Sequence, residues 1–211
     1  MKYKAVIFDL DGVIVSTDQL HYEAWKAMAD KEGIYFDQEI NHQLRGVSRQ
    51  DSLEIILKKS TKEYSQSEKQ KLMTFKNDLY SKSLLSLSEN DVFPNILKVL
   101  NELKQRSIKV AIGSSSRNAK PILKYIKLID SFDAISDGND ITHSKPHPEV
   151  FLIANNKLNI KPEECIVIED AQAGIEAAKA ANMFAFAVGD AKESPLADYK
   201  SDNILDLLKF V

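Results

Sequence analysis

One cysteine, one tryptophan and seven glycines in 211 residues close off several kinds of protein before any motif is read. A lone Cys165 forms no disulfide within the chain and nucleates no cysteine-rich metal site; inside the apolar segment Cys165 to Ile168 it reads as a small core residue. The glycines form neither a Gly-x-Gly-x-x-Gly pattern nor a Walker loop, which removes support for nucleotide binding. No apolar run approaches the roughly 18 residues needed to span a bilayer, and Met-Lys-Tyr-Lys leads straight into a strand-like segment instead of a signal peptide's apolar stretch. A cytoplasmic location is the expectation. There is no basic block either: 28 Lys and Arg stand against 31 Asp and Glu, mixed along the chain, for a net charge of −3. That balance argues against nucleic-acid and membrane partners, so any anionic ligand must be held locally.

What the chain does have is a 44% hydrophobic content, enough for a sizeable core in one domain or one domain with an insert. Short β-branched segments, Ala5 to Phe8, Val110 to Gly113, Ala134 to Ser136, Cys165 to Ile168 and Ala185 to Val188, read as buried strands. Helix-period segments separate most of them. Pro94 reads as the first residue of a helix carrying Ile96, Leu97, Leu100 and Leu103, Pro148 precedes another, and Ala173 to Ala181 follows the fourth strand. The alternation predicts an α/β fold, a doubly wound parallel sheet. About a hundred residues separate the first two strands, far more than one crossover needs, so an inserted α-helical cap is expected. Leu20, Ala24, Ala27 and Met28 mark one of its helices; Ser48 to Asp51 and Ser65 to Glu68 resemble capping boxes that start two more. The division expected is a core domain of residues 1–15 and 91–211 and a cap of residues 16–90.

The chemistry collects at strand ends. An apolar run stops abruptly at Asp9 and Asp11, with Gly12 behind; Ser114 follows the second strand, and Glu169 and Asp170 end the fourth. In an open parallel sheet such ends share one crevice, and clustered carboxylates there require a cation. An all-oxygen donor set suits Mg²⁺ better than zinc. His143 and His147 have the spacing of a helical metal pair, but Pro146 and Pro148 argue against a continuous helix there, so no zinc site is expected.

Asp9-Leu10-Asp11-Gly12-Val13, Ser114, Lys145-Pro146 and Glu169-Asp170 resemble, in order, the four motifs of the haloacid dehalogenase superfamily of phosphotransferases. Thr17 and His21, Gly46-Val47-Ser48-Arg49, Ser52, Ser114 to Asn118 and Ser144-Lys145-Pro146 narrow the resemblance to the β-phosphoglucomutases, with Arg45 and Arg117 where lysines are familiar and Ser16 where Asp is frequent. The resemblance implies interconversion of β-D-glucose 1-phosphate and glucose 6-phosphate through β-glucose 1,6-bisphosphate. Asp9 would be the nucleophile that becomes an aspartyl phosphate, Asp11 the general acid and base, and Ser114 and Lys145 the holders of the transferring group. Mg²⁺ would be bound by Asp9, Glu169, Asp170 and the Asp11 carbonyl. Arg49 with Ser116, Arg117 and Asn118 would hold the distal phosphate. Thr17, His21, Trp25, Gly46, Val47, Ser52 and Lys76 would line the sugar site or its hinge.

Two other readings stay open on the residues: a Mg²⁺-dependent sugar-phosphate phosphatase of the same superfamily, and a catalytically silent sugar-phosphate sensor. Arg49 with Ser116-Arg117-Asn118 favours the mutase over the phosphatase. A sensor has no need of both Asp9 and Asp11. A monomer binding hexose phosphates is the default expectation.

Overall fold

Every side chain of β1 (Ala5–Phe8) is fully buried, so this strand needs cover on both faces. The computed structural model, which describes residues 2–45 and 47–211, places it inside a six-stranded parallel sheet. The other strands are β2 (Lys109–Gly113), β3 (Ala134–Ser136), β4 (Cys165–Glu169), β5 (Phe184–Ala187) and β6 (Tyr199–Lys200), in the order β3-β2-β1-β4-β5-β6. β1 pairs with β2 on one side and β4 on the other, so the strand order reverses direction beside β1. The crevice at such a switch point is where open parallel sheets bind ligands.

Between β1 and β2 lie α1 (Asp18–Lys31), α2 (Gln38–His42), α3 (Arg49–Leu57) and α4 (Gln66–Ser83). Beyond β2 follow α6 (Ala119–Tyr125), α7 (Glu149–Leu158) and α8 (Gln172–Ala180), with α5 (Ile96–Gln105) immediately before it. Alternation along each strand sorts the core into two layers. Val6, Phe8, Ile112 and Ile168 pack on the face that α5 and α6 cover, while Ala5, Ile7, Ala111 and Val167 pack beneath α7 and α8. A third apolar cluster, built around Trp25, Met28, Phe36, Leu53, Ile56 and Leu72, is made only of residues from α1 to α4 and their connections. Among the described residues no helix is long and apolar enough to cross a membrane.

Several local expectations need correction. Pro94 is not the first helical residue: it lies in a turn, Asn95 takes a left-handed conformation (φ 69°), and α5 starts at Ile96. Ser48 caps α3 by accepting from the Asp51 amide, but the reciprocal bond of a capping box is not formed, whereas Ser65 and Glu68 make both. β5 begins at Phe184 and ends before Val188. α2 and β6 carry too few residues for periodicity to mark them; β6 is a two-residue edge pairing of Tyr199 and Lys200 against Phe186 and Ala187.

Candidate active site

The parallel ladder aims three strand ends at one place. The Asp9 amide donates to Ile168 O (2.9 Å), extending β1 one residue past its end, and alternation puts Asp9 and Glu169 on the α7–α8 face of the sheet. Lys145, from the loop before α7, reaches the same point: its ammonium donates to Asp9 Oδ1 (2.6 Å) and contacts Glu169. All three are buried. Burial alone would lower the Lys145 ammonium, but Asp9 and Glu169 hold it above the usual lysine range.

One lysine does not balance this group. Burial raises Glu169 to about 7, Lys145 pulling down and Asp9 pushing up; burial, then Glu169 and Asp9, raise Asp170 to about 8. Carboxylate oxygens of Asp9, Glu169 and Asp170 lie within 4.8 Å of one another. Three converging carboxylates this short of positive charge form an oxygen donor set that fits a hard divalent cation. The backbone is shaped around it. A Cβ on Gly12, whose φ is +77°, would lie 1.9 Å from Asp170 Oδ2, and one on Gly174 would lie 1.9 Å from the carboxyl carbon of Glu169. Gly174→Ala is therefore expected to displace Glu169, weaken divalent-cation binding at least about tenfold and cost about 1–3 kcal/mol in stability. The Mg²⁺ dependence of turnover and a thermal melt read both; an unchanged metal requirement would show that Glu169 is not a ligand.

Asp11 sits past the strand, in a turn closed by Gly12 N to Val15 O (2.8 Å) and Ile14 N to Leu10 O (2.9 Å). Its Oδ1 accepts from the Thr17 amide (3.0 Å) and from the Thr17 hydroxyl. Burial raises Asp11 to about 6, with Thr17 opposing and Asp9 adding to the rise. Thr17 is the N-cap of α1 but caps nothing with its side chain, because the hydroxyl lies between Asp11 and Tyr80 OH (2.9 Å). One turn before Tyr80 on α4, the buried Lys76 points its ammonium at His21 Nδ1 (2.8 Å) and over the Trp25 and Tyr80 rings. Burial, then Arg49, hold Lys76 well below its ordinary range, and burial, then Lys76 and Arg49, do the same to His21. Burial thus favours the neutral imidazole of His21 at its contact with Lys76.

Opposite the acidic group lies a basic one. Arg49 is lowered by burial and then by the facing Arg117, and neither guanidinium has a carboxylate partner among the described residues. Ser114 Oγ accepts from Ser116 N (3.2 Å), Ser116 Oγ from Asn118 N (3.2 Å), and Asn118 reaches Asn77 on α4 (3.3 Å). Both groups line one cleft of about 1140 Å³. Of the residues expected there, Asp9, Asp11, His21, Trp25, Val47, Arg49, Ser52, Lys76, Ser114, Ser116, Arg117, Asn118, Lys145, Glu169 and Asp170 line it. Thr17 lies behind Asp11 without reaching the cleft, and Gly46 is outside the described residues. Arg45 does not act as a free phosphate ligand: it donates to Asp18 (2.9 Å) and to Asp190 (2.9 Å) on the loop after β5. Tyr80, Asn77 and Asp190 escaped the sequence reading; only Tyr80 left a signal, its i+4 spacing from Lys76.

Comparison with known proteins finds relatives over nearly the whole chain. A family model described as haloacid dehalogenase-like hydrolase matches residues 6–188. A β-phosphoglucomutase of Bacillus subtilis (strain 168) is 44% identical, with 97% of this chain and 93% of that protein aligned. A phosphorylated carbohydrates phosphatase of Thermotoga maritima is 30% identical over 99% of both. Among solved structures, a β-phosphoglucomutase from Clostridium difficile superposes with a TM-score of 0.91 at 38% identity, covering 98% of this chain and 96% of that one.

Proposed function

Because the chain belongs to the haloacid dehalogenase-like hydrolase family, we propose that its cleft interconverts β-D-glucose 1-phosphate and glucose 6-phosphate by phosphoryl transfer through Asp9. One observation carries the choice of mutase over phosphatase: the cleft has two poles of opposite sign. Asp9, Asp11, Glu169 and Asp170 form a pole that wants a cation, and Arg49, Arg117 and Lys76 form one that wants an anion. A phosphatase needs one phosphate site. A mutase working through a bisphosphate needs two, since one phosphate must be held while the other reacts.

In this scheme phosphorylated Asp9 gives its phosphoryl group to the C6 hydroxyl of β-glucose 1-phosphate, and Asp11 takes that hydroxyl's proton. The resulting β-glucose 1,6-bisphosphate rebinds with its ends exchanged. Asp9 attacks the C1 phosphate, the bond from phosphorus to the C1 oxygen breaks, and Asp11 returns the proton to that oxygen, regenerating the aspartyl phosphate and releasing glucose 6-phosphate. Lys145 and Ser114 neutralise and orient the oxygens in transfer; Arg49, Ser116, Arg117 and Asn118 grip the idle phosphate. Mg²⁺ is the cation assigned to Asp9, Glu169, Asp170 and the Asp11 carbonyl, and when bound it screens the charge between Asp9 and the phosphate. The two aspartates divide the labour because a carboxylate attacks phosphorus without a proton to lose, whereas a sugar hydroxyl must shed one. Residues 16–90 act as a cap that shuts water out of the cleft, with Arg45–Asp190 and Asn118–Asn77 among its contacts to the core. Every group invoked comes from one chain, so one copy suffices.

Arg49→Ala tests the second pole. Losing a charge-assisted contact worth about 1.5–3 kcal/mol is expected to cut the isomerisation roughly 10- to 100-fold. Phosphorylation of Asp9 by acetyl phosphate, which has no second phosphate to hold, should be preserved. Equal loss of both would place Arg49 at the transfer site and remove the distal one.

A further inference from the structure

The loop that carries Lys145 also carries two histidines whose arrangement the transfer chemistry does not use. As the prolines require, residues 141–148 are not helical. The loop nevertheless brings His143 and His147 together, with ring centroids 4.7 Å apart and planes inclined by 37°. Both face the carboxylate of Glu149, the first residue of α7: His143 Nδ1 is 3.3 Å and His147 Nδ1 3.9 Å from Glu149 Oε2. One ligand atom from each of the three residues lies within 4.8 Å of the other two. Donors bound to tetrahedral zinc at roughly 2.0–2.2 Å stand roughly 3.3–3.5 Å apart. One histidine–glutamate separation already matches, and the other is close.

Glu149 is fixed in advance. Its Oε1 accepts from the Thr142 amide (3.1 Å) and its Oε2 from the His143 amide (2.8 Å), and these backbone bonds hold the carboxyl below its usual range. Oε1 keeps a lone pair, and a cation bound to His143 Nδ1 would replace the 3.3 Å contact between that nitrogen and Oε2. The His147 ring is oriented by a long bond from the Glu149 amide (3.3 Å), which a cation would replace. Both imidazoles are exposed and line the mouth of the cleft, so a metal could enter from solvent.

We propose that His143, His147 and Glu149 form a second metal site, for a zinc-class divalent transition metal, at the mouth of the cleft. Two imidazole nitrogens and one carboxylate suit zinc, cobalt or nickel, whereas the carboxylate set around Asp9 suits magnesium. Three protein ligands leave a fourth position open to water or to an oxygen of an incoming phosphate. Lys145 lies between the two histidines in sequence, so occupancy ties down the segment that presents its ammonium to Asp9. The site stands independently of the mutase reading.

The test uses the full-length protein in saturating Mg²⁺, which fills the carboxylate set, and titrates Zn²⁺ by calorimetry and Co²⁺ by visible absorption. One equivalent of each should bind, with a ligand-field spectrum for Co²⁺ that reports imidazole nitrogen, and Zn²⁺ should raise the melting temperature by mass action. His143→Ala and His147→Ala should each weaken binding by about 10- to 100-fold or more. Glu149→Gln, which keeps an oxygen for the loop amides, should do the same, and Asp170→Asn should leave it unchanged. Zinc binding that survives the histidine substitutions, or disappears in Asp170→Asn, would assign the metal to the Asp9 group and overturn the proposal, as would no binding at all.

Discussion

Asp9→Asn should yield a folded protein that forms no phosphoenzyme and turns over at least about 10⁴-fold more slowly than the parent. The carboxamide oxygen is neither charged nor an adequate nucleophile toward phosphorus, and the substitution also removes one of three converging cation ligands. Both losses act on the same step, so no residual path through this residue remains. The fold should not suffer. Asp9 pushes the protonation of its neighbours Glu169 and Asp170 upward, and Lys145 keeps Glu169 as a partner after the change. Acid-quenched labelling with a phosphodonor, beside a thermal melt, separates chemistry from stability. Labelling that persists in Asp9→Asn would put the covalent phosphate elsewhere.

Asp11→Asn is expected to be nearly as severe for the sugar steps, a loss of about 10²- to 10⁴-fold, because the amide can neither take the attacking hydroxyl's proton nor return one to the leaving oxygen. The pattern of that loss is more telling than its size. Acetate leaves phosphorus without needing a proton, so phosphorylation of Asp9 by acetyl phosphate should continue in Asp11→Asn while transfer to or from glucose phosphates stalls. The geometry supports this division: Asp11 lies outside the Lys145 pair and is held instead by the amide and hydroxyl of Thr17 at the root of α1. Equal loss with acetyl phosphate and with sugar phosphate would make Asp11 part of the transfer site and not its proton carrier.

The parts of this site that sequence made legible are those where chain geometry is simple. A fully buried strand ending in Asp9 and another ending in Glu169 and Asp170 must meet once the sheet is parallel, and so the catalytic pole followed from β-branched runs and their termini. Lys145 and Ser114 needed the family resemblance as well, since a lysine in a loop and a serine after a strand mean little alone. The rest depends on contacts between distant elements. Nothing local says that Lys76, on a charged helix, is buried against His21, or that Tyr80 shares Thr17 with Asp11. Arg45 stands where the resemblance has a lysine, and only the fold shows Asp18 and Asp190 occupying its guanidinium. For His143 and His147 the prolines excluded a helix, yet the loop met the same distance requirement without one.

In the proposed scheme Asp9, with a cationic pole facing it across the cleft, passes phosphate between two positions of one sugar and not to water. The most direct test of that scheme gives the purified protein Mg²⁺, β-glucose 1-phosphate and a trace of β-glucose 1,6-bisphosphate, and follows glucose 6-phosphate and inorganic phosphate separately. Glucose 6-phosphate should accumulate with negligible phosphate release. Phosphate released as fast as the sugar reacts, with no glucose 6-phosphate formed, would contradict the mutase assignment and make the chain a phosphatase.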